Sequence, residues 1–250
     1  MLTKALLIVS FGVADRSSRK KTLDLYKKEV AALFPEYEVF CAFSSKRIIE
    51  KIAQREGMAI DDPHQALQRI FRAGYSKVLV SPFSLICGET FKKLDEYVQD
   101  FEGKFEGIKL VYPLLHKASD YQHIAKLITQ DILLDSNQAL VFVGHGTDSD
   151  EQESYNKLSE ALAALDNQAF LGTIKNNLTV EIISEKLIKK EITTVILRPL
   201  LITSGHHVMQ DINKIWTSGL ASYGFKVEVD LKTLGEYEKI RRYFAHLIKE

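Results

Sequence analysis

Leu6-Leu7-Ile8-Val9-Ser10-Phe11-Gly12, near the start of the chain, and Leu140-Val141-Phe142-Val143-Gly144-His145-Gly146, just past its middle, decide the reading of the fold. Each is an apolar run that ends in a small or glycine-containing turn. Continuous runs of this length, bounded by turn residues, suit strands covered on both faces of a sheet. Further along, Val78-Leu79-Val80-Ser81-Pro82-Phe83 with Gly88 beyond it lines up with Val195-Ile196-Leu197-Arg198-Pro199-Leu200 and Gly205 at the same offset. Ser119-Asp120-Tyr121 and Gly235-Glu236-Tyr237 each open a helix at nearly the same distance past the proline-bearing strand. Strand, proline, glycine and helix start recur in one order, which is the mark of an internal duplication.

Short β-rich runs alternate with longer segments of helical periodicity, the pattern of parallel strands joined by crossover helices. Eight strands are expected, at about Ala5–Phe11, Glu38–Phe43, Lys77–Phe83, Lys109–Pro113, Ala139–Gly144, Ala169–Ile174, Thr194–Leu200 and Lys226–Asp230. Between them, Ser18 to Phe34 reads as a helix with Leu23, Tyr26, Val30 and Leu33 on one stripe, and Pro63 to Ala73 as a helix ending at Gly74. The expected fold class is α/β, with two similar doubly wound parallel-sheet domains. The polar stretch around Ser136 divides them into 1–135 and 136–250, with the C-terminal domain carrying the histidines of interest. Ligands of open α/β sheets bind beyond the carboxyl ends of the strands, so a cleft between two such domains is the expected site.

Composition narrows the function classes. Lys+Arg and Asp+Glu both number 33 in 250 residues, so no overall field draws the chain to nucleic acid or to an anionic membrane. No stretch approaches the roughly 18 apolar residues of a membrane helix. Cys41 and Cys87 are too far apart for a C-x-x-C pair, which argues against a disulfide scaffold or a thiolate zinc site and for a reducing, cytoplasmic home. G-x-x-x-x-G-K-[ST], G-x-G-x-x-G after a strand, G-x-S-x-G and H-E-x-x-H are all missing, which sets aside P-loop, dinucleotide, hydrolase and zincin chemistry. Arg19-Lys20-Lys21, and Lys186 with Lys189-Lys190, read as solvated faces, and His64, His116, His123 and His246 as surface residues.

Two places could carry chemistry. His145 sits on a turn between Gly144 and Gly146, and the equivalent slot in the first half is the apolar Phe11, so packing does not demand a histidine there. The plainer reading is a histidine that caps the helix beginning near Ser149. The second place is Ser204-Gly205-His206-His207 beyond the strand Thr194–Leu200, where the first half has Thr90 opposite His207. Histidines at the ends of two strands can converge on one ion or one proton donor. If His206 and His207 lie in extended backbone they point opposite ways, and His207 is preferred.

With these positions placed, the chain resembles the single-chain, two-domain anaerobic cobalt chelatases, which insert Co²⁺ into sirohydrochlorin on the way to cobalamin. The likeness rests on Ser10-Phe11-Gly12, Ala42-Phe43-Ser44-Ser45, Gly74-Tyr75, Pro113-Leu114-Leu115 with Asp120-Tyr121, Gly144-His145-Gly146, Leu171-Gly172-Thr173-Ile174, and Pro199-Leu200-Leu201 with Gly205 and His207. It implies a chelatase-like fold and a lyase that handles Co²⁺ as a substrate metal without an organic cofactor. It implies His145 as the proton acceptor for pyrrole N–H groups and as a metal ligand, and His207 as a second ligand. Ser10, Phe11, Ser84, Gly88, Glu89, Gly146, Lys175, Gly205 and His206 are then expected to cradle the tetrapyrrole. Three positions depart from the family pattern: Lys175 stands where the family has a metal-ligating glutamate, and Ser84 and Thr90 replace its histidine and glutamate in the loop after the third strand, with Glu89 one position before the latter. A non-catalytic tetrapyrrole carrier, or a chelatase for another metal or ring, therefore stands as the alternative. The expected partner is a tetrapyrrole, with no nucleic acid or membrane, and self-association is left open.

Overall fold

The structure, a computed structural model, describes residues 3–203, 205, 210 and 212–249. Two compact units make up the chain, Met1–His116 with Arg241–Glu250, and Lys117–Ile240. The sequence-based division placed the junction about twenty residues later, near Ser136. The helix Ala118–Thr129 groups with the second unit, where Tyr121 donates to the Ser154 hydroxyl at 3.4 Å.

In the first unit the strands β1 (Lys4–Ser10), β2 (Tyr37–Phe43), β3 (Lys77–Pro82) and β4 (Gly107–Leu110) form a parallel sheet in the order β2-β1-β3-β4. The connecting helices are α1 (Arg16–Lys21), α2 (Leu23–Leu33), α3 (Lys46–Glu56), α4 (Pro63–Arg72) and α5 (Glu89–Gln99). In the second unit α6 (Ala118–Thr129) precedes β5 (Gln138–Gly144), α7 (Gln152–Ala164), β6 (Ala169–Thr173), α8 (Val180–Lys189), β7 (Thr194–Pro199), α9 (Thr217–Ser222) and β8 (Lys226–Val229). Its sheet has the matching order β6-β5-β7-β8. The chain ends in α10 (Glu238–Lys249). All eight expected strands are present, within a few residues of their expected bounds.

The duplication extends to individual hydrogen bonds. Ala5 pairs with Val78 in the first sheet and Ala139 with Val195 in the second, the same correspondence that aligns Leu6 with Leu140 and Val78 with Val195 in the sequence. Phe83 donates to the Val9 carbonyl at 2.7 Å, and Leu200 to that of Val143 at 2.8 Å. Past the strands, Ser45 donates to the Phe11 carbonyl at 3.2 Å and Lys175 to the His145 carbonyl at 3.0 Å. Phe11 and His145 are thus equivalent positions, as are Ser45 and Lys175.

Both central strands are buried on both faces, which is why their sequences are unbroken apolar runs. Leu7, Val9, Leu67, Ile70, Val80 and Leu94 form one face of the first core, and Val141, Val143, Ile183, Leu187, Leu197 and Trp216 the corresponding face of the second. The helix expected from Ser18 to Phe34 is broken at Thr22, whose φ of −120° and ψ of −90° leave the helical region while its hydroxyl donates to the Ser18 carbonyl. Leu23, Tyr26 and Val30 are buried as expected, but Leu33 is exposed beside the end of α2. Helix α4 follows its sequence signals closely: Asp62 and Gln65 form a capping box, Pro63 opens the helix, and Gly74 follows its end with φ at +81°.

Arg19 is not a solvated charge. Its guanidinium is buried, donating to the Val13 and Ala14 carbonyls at 3.1 and 3.2 Å and pairing with Glu56 at 2.5 Å. That hydrogen bond holds the Glu56 carboxyl below its ordinary range. A buried guanidinium needs such partners, and here they anchor the loop that follows Gly12. In the first unit, Arg241 of α10 makes a two-pronged pair with Glu29, both bonds at 2.8 Å, and Phe244 packs on Phe83, which stacks on Tyr26. Among the described residues no helix is long and apolar enough to cross a membrane.

Candidate active site at the strand ends of the second unit

The strand order β6-β5-β7-β8 reverses its direction of winding between β5 and β7, and the loops leaving those two strands flank the point where doubly wound folds hold ligands. Strand β5 delivers Gly144-His145-Gly146. A side chain on Gly144 would sit 2.6 Å from the ring of Tyr155, and one on Gly146, whose φ is +69°, would sit 2.4 Å from the Lys175 carbonyl oxygen. Both glycines are therefore required by close approach, and together they turn the chain so that His145 projects into solvent. Burial pushes the phenol of Tyr155 up to about 12, so the floor beneath the turn stays neutral.

The imidazole is held by its own turn. His145 Nδ1 lies 2.9 Å from the Gly146 carbonyl oxygen, an atom that can only accept, so Nδ1 carries the proton and donates. In the neutral ring this leaves the Nε2 lone pair outward, the form needed by a base or a metal ligand. His145 does not cap the following helix. The N-cap residue is Glu151, with no side-chain capping bond, while Gln152 reaches back into the preceding loop, its amide oxygen accepting the Thr147 N–H at 3.0 Å beside the Thr147 and Ser149 hydroxyls, which bond to each other at 2.7 Å.

The loop after β6 is knitted to the same turn. Lys175 donates its N–H to His145, Thr173 Oγ1 donates to the Lys175 carbonyl at 2.6 Å, and Asn176, in left-handed backbone at φ +68°, donates its amide to the Thr147 carbonyl at 2.9 Å. The Lys175 ammonium is about half exposed and faces Asp148 at 3.4 Å. Strand β7 leads into the segment of the second expected histidine pair. Gly205 there is exposed, and a Cβ added to it would meet nothing within 4 Å among the described residues. Ser204, His206 and His207 lie outside the described residues. Among the described residues no three His, Cys, Asp or Glu side chains gather into a metal-binding group.

In the first unit, Phe11 is 59% exposed, a large hydrophobic presented at the turn equivalent to that of His145. Ser10 is buried and its hydroxyl accepts the Gly12 N–H at 3.1 Å, so its visible work is to shape that turn. Ser84 Oγ is buried without a hydrogen-bond partner among the described residues, Gly88 is the residue before α5, and Glu89 and Thr90 are exposed in its first turn. Sequence reasoning passed over one juxtaposition. Cys87 Sγ lies 3.7 Å from His116 Nδ1, and the His116 ring stacks on Tyr112 at 3.6 Å. A separation of 29 positions in the sequence conceals the pair, although both follow the ends of neighbouring strands, β3 and β4.

Two parallel four-stranded sheets of identical strand order, with a glycine-flanked histidine leaving the central strand of the second, define an α/β protein of the chelatase-like class. The solved structure of SirB from Bacillus subtilis with Fe³⁺ shares this fold, with a TM-score of 0.69 at 13% identity over 99% of this chain and 94% of that one. The family model described as cobalt chelatase (CbiK) matches residues 4–250, and the chain belongs to that family. It is 31% identical to the sirohydrochlorin cobaltochelatase of Salmonella typhimurium over 98% of this chain and 96% of that protein. It is 27% identical to the sirohydrochlorin cobaltochelatase CbiKC of Nitratidesulfovibrio vulgaris over 95% of this chain and 86% of that protein.

Proposed function

We propose that this chain is a metal-inserting lyase that places Co²⁺ into sirohydrochlorin, with the ring seated against the loops that leave β5, β6 and β7. Family membership and the two sirohydrochlorin cobaltochelatases among its relatives support the reaction class. The observation that carries the site is the His145 hydrogen bond to Gly146, which commits Nδ1 as a donor and leaves Nε2 as the reactive atom.

Insertion exchanges two pyrrole protons for one dication: the macrocycle loses two N–H protons, the metal gains ring nitrogens as ligands, and charge balances. Nε2 of His145 takes a pyrrole proton and hands it to solvent before taking the next, acting as a general base. In this reading His145 and His207 also hold the incoming Co²⁺ briefly, and a site with few ligands releases its ion to the ring more readily than a closed cage does. In the second unit Gly146, Gly205 and His206 line the ring, and in the first unit Ser10 shapes the turn that presents Phe11. An ammonium cannot ligate a metal, but Lys175 can exchange its exposed Asp148 partner for an acetate or propionate of a polycarboxylate ring. The reading calls for cobalt as substrate, no organic cofactor and a cytoplasmic location.

The test is initial-rate absorbance of sirohydrochlorin with Co²⁺. His145→Ala should lower the protein-dependent rate at least a hundredfold, the ordinary scale of a lost general base. An unchanged rate in a folded His145→Ala protein would overturn the assignment. Lys175 favours a second reading, a carrier that binds the metallated ring without making it. In that case the wild-type protein gives no rate above the spontaneous one.

A further inference from the structure

We infer that Cys87 and His116, in the first unit, form a binding site for a borderline-soft divalent cation such as Co²⁺ or Zn²⁺. The backbone brings them together. Beyond the ends of β3 and β4 the two chains meet again in an isolated parallel bridge between Ile86 and Leu115, where Leu115 donates to the Leu85 carbonyl at 2.9 Å. Cys87 and His116 are the next residue after each bridge partner, so they stand side by side on adjoining segments. The imidazole is oriented by Tyr112, whose ring stacks on it at 3.6 Å and 7° and is flanked in turn by Phe91 at 5.6 Å. This frame fixes both donors before any ion arrives, which lowers the ordering cost of binding.

The separation of the donors selects the ligand. Metal–sulfur and metal–nitrogen bonds of about 2.3 and about 2.0–2.1 Å, spanning the 3.7 Å from Cys87 Sγ to His116 Nδ1, enclose an angle of roughly 116° at the metal, near the tetrahedral value. Thiolate with imidazole suits Zn²⁺ and Co²⁺ and disfavours Mg²⁺ or Ca²⁺, which take oxygen ligands. His116 is exposed and Cys87 half-buried, so an ion can reach both donors from solvent. Binding replaces the Cys87 S–H proton by the metal and releases that proton to solvent. Cys41 offers no competing site, because burial pushes its thiol up to about 11.

The experiment is a titration of the full-length protein with CoCl₂, followed in the near ultraviolet for a thiolate-to-cobalt charge-transfer band. The band should saturate at one equivalent, vanish in Cys87→Ser, require at least tenfold more cobalt in His116→Ala, and persist in Cys41→Ser and in His145→Ala. In the wild-type protein, where no substitution can disturb folding, Zn²⁺ should shield Cys87 from alkylation as read by peptide mass spectrometry. No band at millimolar cobalt, a band that survives Cys87→Ser, or undiminished alkylation of Cys87 under saturating Zn²⁺ would overturn the inference. This site does not rest on the chelatase reading: loss of insertion in His145→Ala with the thiolate band intact, and the converse, separate the two claims.

Discussion

Replacing Gly146 by alanine tests the geometry that presents His145. Two costs add. An L-residue in left-handed backbone costs about 1–2 kcal/mol, partly offset by about 0.4–1 kcal/mol from the stiffer unfolded chain. The new methyl would also lie 2.4 Å from the Lys175 carbonyl oxygen, which is backbone and has no rotamer to yield. Making room displaces a loop held by the Lys175 bond to His145 and the Thr173 bond to Lys175, each worth about 0.5–1.5 kcal/mol. The sum is about 2–4 kcal/mol. Gly224→Ala in the same unit is the control, since φ there is +92° with nothing within 4 Å, so only the conformational part applies, about 1 kcal/mol or less. The chain has one tryptophan, Trp216, buried in the second unit, and its fluorescence reports the unfolding of that unit in urea. At slopes of about 1–3 kcal/mol per molar, the Gly146→Ala midpoint should fall by about 1–2 M and that of Gly224→Ala by about 0.5 M or less. Equal midpoints for the two variants would refute the crowding argument and with it the reason that His145 is held where it is.

Gly172→Ala would put a methyl 1.9 Å from the Trp216 ring, so a loss of about 1–3 kcal/mol should come with a red shift of tryptophan emission as the ring is driven toward water. Arg241→Ala strands the Glu29 carboxylate beneath α10, and a loss of about 2–4 kcal/mol in the first unit is expected by urea unfolding; Arg241→Lys should recover only part of it, since an ammonium cannot make both bonds. The raised Cys41 thiol is almost wholly protonated at pH 8, so its alkylation in the folded protein should be slow and should quicken about tenfold per pH unit up to about 11, whereas an unfolded-like rate at pH 8 would contradict its burial.

The strands were legible because burial on both faces leaves an unbroken apolar run, as in Ala5–Val9 and Ala139–Val143, and the duplication because equivalent positions kept their glycines and prolines. Register followed from the same alignment: matching Val78 with Val195 by sequence matches their sheet partners Ala5 and Ala139. His145 was visible because glycines flank it and its counterpart is Phe11. Less legible were features that depend on approach in space. Thr22 breaks a helix whose stripe continues past it, since a side-chain bond to Ser18 competes with the helical ladder. Arg19 looks like any surface cation until the Val13 and Ala14 carbonyls close on it. Cys87 and His116 come from separate loops, and only the bridge between Ile86 and Leu115 makes them neighbours.

The central claim is catalysis by this chain, and turnover tests it most directly. With sirohydrochlorin and Co²⁺ in hundredfold excess over protein, the cobalt-ring absorbance should grow linearly through many equivalents per chain at a rate proportional to protein concentration. A change that stops at one equivalent per chain, or that proceeds no faster than in buffer alone, would contradict it.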